Sequence, residues 1–490
     1  MTTSGSLRRT PHSSWWANKW LWAIVLGGLG LRLLFVAVGA KAYYGSGNEF
    51  FNGDSESYIM SFRNLYEQGT YTFDFKEPDA AFGRLPGYPL FYGLHYLLLG
   101  PDKAVLGVAC SQAMLDSLAI VLVFLIVGRL SVREPGLSGA AHLAAFVYAC
   151  YPFVIVWTTV IGTEVLATFF VLLWLHTLLL PNKGPGHYLL LGVELAYVFY
   201  VREFIGILLP ITCIYLFWCQ GDSKLKAFRN CALVGAAFAV LYIGWPIRNY
   251  VFQHRVMLVK PARAGYANYK ADMVSFLDWV HSWSNESTYW LQQVLTNPKP
   301  AFPSTAFASP QEQQQAQVLV DKAVTCGSSF RLYLHQPLKA GEAACDEEVS
   351  QGFENLRQSF KQRNPLTYYT RVPLQNLYKV FFKSGTQERS GITKKNFLLT
   401  VVFGYRTVLV LLGLAGLVVF RRQPGLKPIL MYWVFIIVFI CWQFRQLEMR
   451  YILQADVLLL VPAVMLLSKW LLPYFSRIKA QRSATPLSSE

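Results

Sequence analysis

Four short stretches of this 490-residue chain hold ionisable side chains in types and spacings that could do chemistry. Gly53-Asp54-Ser55-Glu56-Ser57-Tyr58 sets two carboxylates in a polar, aromatic-rich segment, and Arg84-Leu85-Pro86-Gly87-Tyr88-Pro89-Leu90 follows in the same segment. Val201-Arg202-Glu203 and Met449-Arg450-Tyr451 interrupt apolar runs much later. A carboxylate within hydrogen-bond reach of a hydroxyl can take its proton, and arginine offers an anion a planar fork of donors. Each group also has a plainer reading. Asp54 could cap the helix-like stretch Ser55 to Gln68, Arg202 could pair with Glu203 and Arg450 with Glu448, and Arg248 could snorkel to headgroups.

The elements that must position these groups are apolar. The chain is 54% hydrophobic and only 15% charged, which makes lipid its solvent. Ten runs are long enough to cross about 30 Å of hydrocarbon, or are short ones flanked by helix interrupters. They are Leu21 to Ala40, Ala104 to Leu130, Ser138 to Trp157, Gly162 to Leu180, His187 to Tyr200, Phe204 to Trp218, Cys231 to Tyr250, Asn396 to Phe420, Pro428 to Phe444 and Ile452 to Leu472. The expected fold is an all-α polytopic membrane protein with about ten spans. A transmembrane module, 1–250, carries the first outer loop, 41–103; an outer segment or subdomain, 251–395, precedes a C-terminal transmembrane module and cytoplasmic tail, 396–490. Leu21 to Ala40 exceeds a signal peptide's apolar region and reads as a retained first span.

The net charge of +16 does not mark a nucleic-acid binder, because sixteen Lys and Arg against three acids line one face of this topology. That is the positive-inside pattern, with both termini inside. Six of the eight cysteines sit in or beside apolar segments; Cys326 and Cys345 share the second outer segment, where they could pair. That segment also holds the sequon Asn285-Glu286-Ser287, whose use depends on the host. No internal repeat is evident, which weighs against a carrier built from repeated halves.

A charge in a span costs about 2.5 to 3.5 kcal/mol on the mildest scale, so each needs a partner or a wet cavity. Glu164, Arg202, Glu203, Arg248, Glu448 and Arg450 all fall at outer helix ends, the side that carries Asp54, Glu56 and Arg84. They could wall one polar cavity. Arg32 and Asp116 lie deeper and read as a structural pair, and Glu194 and Arg406 as buried contacts between helices.

The first-loop motifs, with Tyr151-Pro152, Thr163-Glu164, Leu209-Pro210 and Trp245-Pro246-Ile247-Arg248-Asn249-Tyr250, resemble the GT-C glycosyltransferases, in the branch with protein O-mannosyltransferases and aminoarabinose transferases. The likeness runs from about Leu21 to Leu472 and is weakest between Met257 and Lys383. It implies transfer of a sugar from a polyprenyl-phosphate donor to an acceptor hydroxyl outside the membrane, with inversion. The acceptor could be a lipid, a glycan or a protein, and the location implied is a bacterial inner membrane. Many relatives place two acids side by side, whereas Ser55 separates Asp54 from Glu56; on a helix these would point about 200° apart. Asp54 is the expected catalytic base, Glu56 and Glu164 are supporting acids, and Arg84, Arg202 and Arg450 are the expected donor-phosphate ligands. The first-loop acids could hold a divalent ion, although no dedicated ligand set is visible. Rival readings are a flippase or carrier of lipid-linked glycans, a polymerase or ligase of them, and a structural membrane subunit. Ordered, charged outer loops and the acidic first-loop motif favour the transferase.

Overall fold

All ten apolar runs carry helix in the computed structural model, which describes residues 15–484 apart from 133, 135, 136, 138, 182, 220–222, 261–265, 298, 339, 340, 383–393 and 446. Arg8, Arg9, Arg133, Asp222 and Glu490 of the inner-face charge count lie outside the described residues. No strand occurs among those described. Six helices are long and apolar enough to cross a membrane: Lys19–Tyr44, Pro101–Ser131, Lys224–Gln253, Leu399–Val419, Pro424–Phe444 and Met449–Trp470. A seventh is counted if Ala140–Ala149 and Pro152–Thr158, bent by 47°, form one span. Glu164–Leu178 and Glu203–Trp218 are apolar but shorter. Ten is therefore an expectation, and six or seven the number that length and composition support. The run Ser138 to Trp157 crosses a real break, a turn before Pro152, whereas the extended backbone of Arg202, which ends the helix Pro185–Val201, falls between two of the runs.

Apolar side chains face outward and charges face inward. Leu26, Leu34, Leu94, Leu98, Phe146 and Val240 are exposed on helix surfaces, which water would not tolerate in such number. The chain is an integral, multi-pass membrane protein. Met449–Trp470 is its central helix, 89% of its apolar window buried, whereas Lys19–Tyr44 and Lys224–Gln253, at 22%, lie on the rim. The expected deep pair forms: Arg32 Nε donates to Asp116 Oδ2 at 2.6 Å, and Tyr148 donates to the other oxygen, which ties three helices together. Arg406 donates twice to Asp456, at 2.6 and 3.0 Å, and Glu194 accepts from Thr177. Each of these side chains thus finds a partner inside the bundle.

The second outer segment has its own core. Helices Ala271–Trp283, Pro310–Cys326, Ser328–Tyr333 and Glu342–Arg363 bury Phe276, Trp279, Val320, Phe330, Val349 and Phe353 against one another. Cys326 and Cys345 are joined by a disulfide. Arg445, at the turn after Pro424–Phe444, donates to His281 O and Tyr368 O and stacks 3.7 Å from the centre of the Tyr368 ring. One side chain thus holds the outer core to the membrane helices.

Candidate functional site

The first outer loop is shaped by small, local devices. Asn52 Oδ1 accepts from the amide of Asp54 at 2.9 Å, which turns the chain into the helix Ser55–Gln68, and Gly69 ends that helix in the left-handed region at φ 71°. Ser55 Oγ donates to Ile161 O and the amide of Ile161 to Phe50 O, so the loop before Glu164 is fastened to the start of this helix. Tyr88 accepts from the amide of Gly162 and donates to Gln112, whose own amide reaches the carbonyls of Thr158 and Val160. Gly87 lies so close to the end of Pro185–Val201 that a Cβ there would sit 2.6 Å from the carbonyl carbon of Tyr200. The Pro-Gly-Tyr-Pro stretch therefore sets the segment of Arg84 against the helix that ends at Arg202.

These supports bring Asp54, Arg84 and Arg450 together. Asp54 is not a helix cap, since its side chain accepts nothing from the helix amides. Instead Oδ1 accepts from Arg84 Nη2 at 2.7 Å, and Oδ2 accepts from Arg450 Nη1. Arg84 is buried and almost saturated: Nε donates to Ser57 Oγ at 2.8 Å, Nη1 to Tyr58 Oη at 3.1 Å, and Nη2 also to Tyr266 Oη. Its guanidinium lies 4.1 Å from the Tyr58 ring centre. Arg450 also donates to Glu448 at 2.5 Å, the pair of its plainer reading. Burial would raise the Asp54 pKa, but the guanidiniums of Arg84 and Arg450 outweigh it and hold the carboxyl well below the usual carboxylate range.

Arg202 and Glu164 form an adjoining pair. Arg202 Nη2 donates to Glu164 Oε1 at 3.1 Å and Nη1 to the carbonyl of Arg450 at 3.2 Å, and not to Glu203, the partner of the plainer reading. The extended backbone at Arg202 turns the two neighbouring side chains apart, and Glu203 meets Lys260 at 3.7 Å instead. Glu164 is buried, and among the described residues its Oε2 has no partner. Glu56 is exposed and outside this cluster, as the opposed directions of residues two apart on a helix require. Arg248 does not snorkel: it donates to the carbonyls of Ala81 and Tyr71 at 2.9 and 2.7 Å and so braces the first loop.

Sequence reasoning missed Ser57, Tyr58, Lys260, Tyr266 and Arg445. Ser57 and Tyr58 stood inside the acidic motif, next to residues that were read. Lys260 and Tyr266 lie in the segment of weakest resemblance and carry no local signal. Among the described residues no three His, Cys, Asp or Glu side chains gather in a way that could hold a metal ion, and Asp54 is turned to two cations.

An apolar cavity of about 430 Å³ adjoins the cluster, lined by Leu65, Tyr71, Gly87, Leu90, Tyr200 and Trp245 among others. Tyr71 links the two, donating to the carbonyl of Arg84 at 2.9 Å.

No family model matches this chain, and no curated protein is significantly similar to it. Solved structures are. The oligosaccharyltransferase of Archaeoglobus fulgidus in the apo form superposes with a TM-score of 0.50 at 12% identity, over 97% of this chain and 53% of that one. The same enzyme tethered with an acceptor peptide containing the NVT sequon gives 0.50 at 13%, over 96% and 51%. ArnT from Cupriavidus metallidurans in the apo state is a looser likeness, 0.32 at 15%, over 90% and 77%. The chain spans about half the length of the oligosaccharyltransferase. The chain shares the fold of this oligosaccharyltransferase.

Proposed function

We propose that this protein is a membrane glycosyltransferase, moving a sugar from a polyprenyl-phosphate carrier to an acceptor hydroxyl of a lipid, glycan or protein. We place the reaction on the outer face of a bacterial inner membrane. The observation that carries the reading is the convergence of Arg84 and Arg450, from opposite ends of the sequence, on the one carboxylate of Asp54. That arrangement supplies both halves of the chemistry beside a groove fit for an isoprenoid chain.

A carboxylate held well below its usual range is a poor base, so the donor must change its surroundings. The donor phosphate competes with Asp54 for the same two guanidiniums, and when it takes their donors the proton affinity of Asp54 rises. The acceptor oxygen then attacks the anomeric carbon as the bond from that carbon to the phosphate oxygen breaks. Asp54 takes the hydroxyl proton, and the polyprenyl phosphate leaves with its charge met by Arg84 and Arg450 in a poorly hydrated site. Arg202, fixed to the Arg450 backbone, supports the phosphate from the next helix end. A single base gives inversion. Glu164 is committed on one oxygen to Arg202 and acts as a supporting acid. The deep charges favour no carrier path, because Arg32–Asp116 and Arg406–Asp456 are closed pairs.

Polyprenyl phosphate binding to the purified protein tests this. Arg84→Ala and Arg450→Ala should each weaken it by about tenfold or more, the worth of a charge-assisted hydrogen bond. Unchanged affinity in both folded variants would make the arginines structural and remove the basis of the proposal.

A further inference from the structure

At the far end of the central helix the protein carries a second polar concavity, of about 480 Å³, lined by Glu134, Val418, Val419, Phe420, Arg421, Arg422 and Lys469. Lys469 lies nineteen residues beyond Arg450 on the helix Met449–Ala484, about 28 Å along its axis. That is close to the thickness of a bilayer's hydrocarbon, about 30 Å, so the concavity sits at the headgroup level opposite the cluster around Asp54.

Its geometry is fixed by close helix packing. A Cβ on Gly413 would lie 2.6 Å from the carbonyl oxygen of Leu459, and Gly416 is as close to that of Pro462, so the helix Lys394–Val419 and the central helix meet at backbone contact. Arg421 and Arg422 follow on the turn at the end of the first, and Lys469 stands on the second with its ammonium 5.3 Å from the Phe420 ring centre. Gln423 closes one side, donating to Leu130 O at 3.2 Å and to Glu134 Oε1 at 3.0 Å. All three cations are exposed, and among the described residues none has a carboxylate partner. The flank on the membrane side is apolar and uncovered: Val418, Val419 and Trp470 are 64%, 49% and 60% exposed.

We propose that this concavity is a binding site for an anionic phospholipid, its phosphate held by Arg421, Arg422 and Lys469 and its acyl chains lying along Val418, Val419 and Trp470. A basic pocket between spans suits such headgroups, and the exposed apolar flank favours a lipid over free phosphate. The ligand bridges two packed helices and stabilises their contact.

Thermal unfolding of delipidated protein, with cardiolipin, phosphatidylcholine or inorganic phosphate added separately, tests the site, with bound lipid counted by native mass spectrometry. Cardiolipin should raise Tm by about 3 °C or more and leave one lipid bound per chain. In Arg421→Gln/Arg422→Gln/Lys469→Gln both effects should vanish, with Tm in phosphatidylcholine unchanged. If the triple variant does not fold, Lys469→Gln alone replaces it, and its retained cardiolipin should fall at least severalfold. An equal rise with phosphatidylcholine, a rise with inorganic phosphate alone, or undiminished cardiolipin binding by the variants would overturn the proposal.

Discussion

Replacing Asp54 by Asn separates the competition at the arginine pair from every plainer role of this residue. Asn keeps the shape and one acceptor oxygen but not the charge, so one charge-assisted hydrogen bond is lost and two guanidiniums face each other across a neutral group. Such a bond is worth about 1.5 to 3 kcal/mol; the Asp54 side chain is 26% exposed, so water restores part of it and the lower figure, about 1.5 kcal/mol, is the expected loss of stability. The donor phosphate gains what the fold loses, because it no longer displaces a carboxylate. Polyprenyl phosphate should therefore bind the variant up to about tenfold more tightly. Transfer should fall by about a hundredfold to ten-thousandfold, the range that general bases contribute. Because the folded-state pKa of Asp54 is depressed, its stabilising effect is present above the ordinary carboxylate range and is lost only as pH falls through the folded value. The stability gap between wild type and variant should thus be flat from about pH 5 to 8 and close only in stronger acid. Denaturation, donor-binding and transfer assays on one preparation decide it. A folded variant with near-normal transfer, or one that binds the lipid phosphate more weakly, would refute the exchange.

Glu56→Gln should leave both donor binding and transfer within about twofold of wild type, since the residue is exposed and outside the cluster; kinetics of the purified variant would show it. Gly87→Ala would press its Cβ to 2.6 Å of the Tyr200 carbonyl carbon and push the Arg84 segment away from the end of the helix Pro185–Val201, so kcat should drop at least about tenfold in protein that still folds. Breaking the Cys326–Cys345 bond by double serine substitution should lower the stability of the outer core by about 3 kcal/mol, read as a lower unfolding temperature of that segment.

The membrane class, the helical runs and the Arg32–Asp116 pair were legible because burying a charge in lipid is so unfavourable that sequence must show its partner. The number of spans was not, because hydropathy averages over the bend at Pro152 and counts apolar helices as short as Glu164–Leu178 and Glu203–Trp218. Asp54, Arg84, Arg202, Glu164 and Arg450 could be singled out as charges at helix ends, but their pairing could not. Neighbouring letters suggested Arg202 with Glu203, whereas backbone direction gave Arg202 to Glu164 and Glu203 to Lys260. Tyr266 and Lys260 reach the cluster from a long loop whose path depends on tertiary contacts alone. Asp456, which neutralises Arg406, was hidden in the apolar run that became the central helix.

The most direct measurement is of sugar leaving a lipid phosphate. Purified protein in liposomes, given radiolabelled polyprenyl-phosphate sugars and a cell-envelope extract as acceptor, should move label from the lipid to an acceptor and release polyprenyl phosphate in equal amount, with both signals absent in Asp54→Asn. Label that stays on the lipid with each donor, or that leaves it equally well with Asp54→Asn, would contradict it.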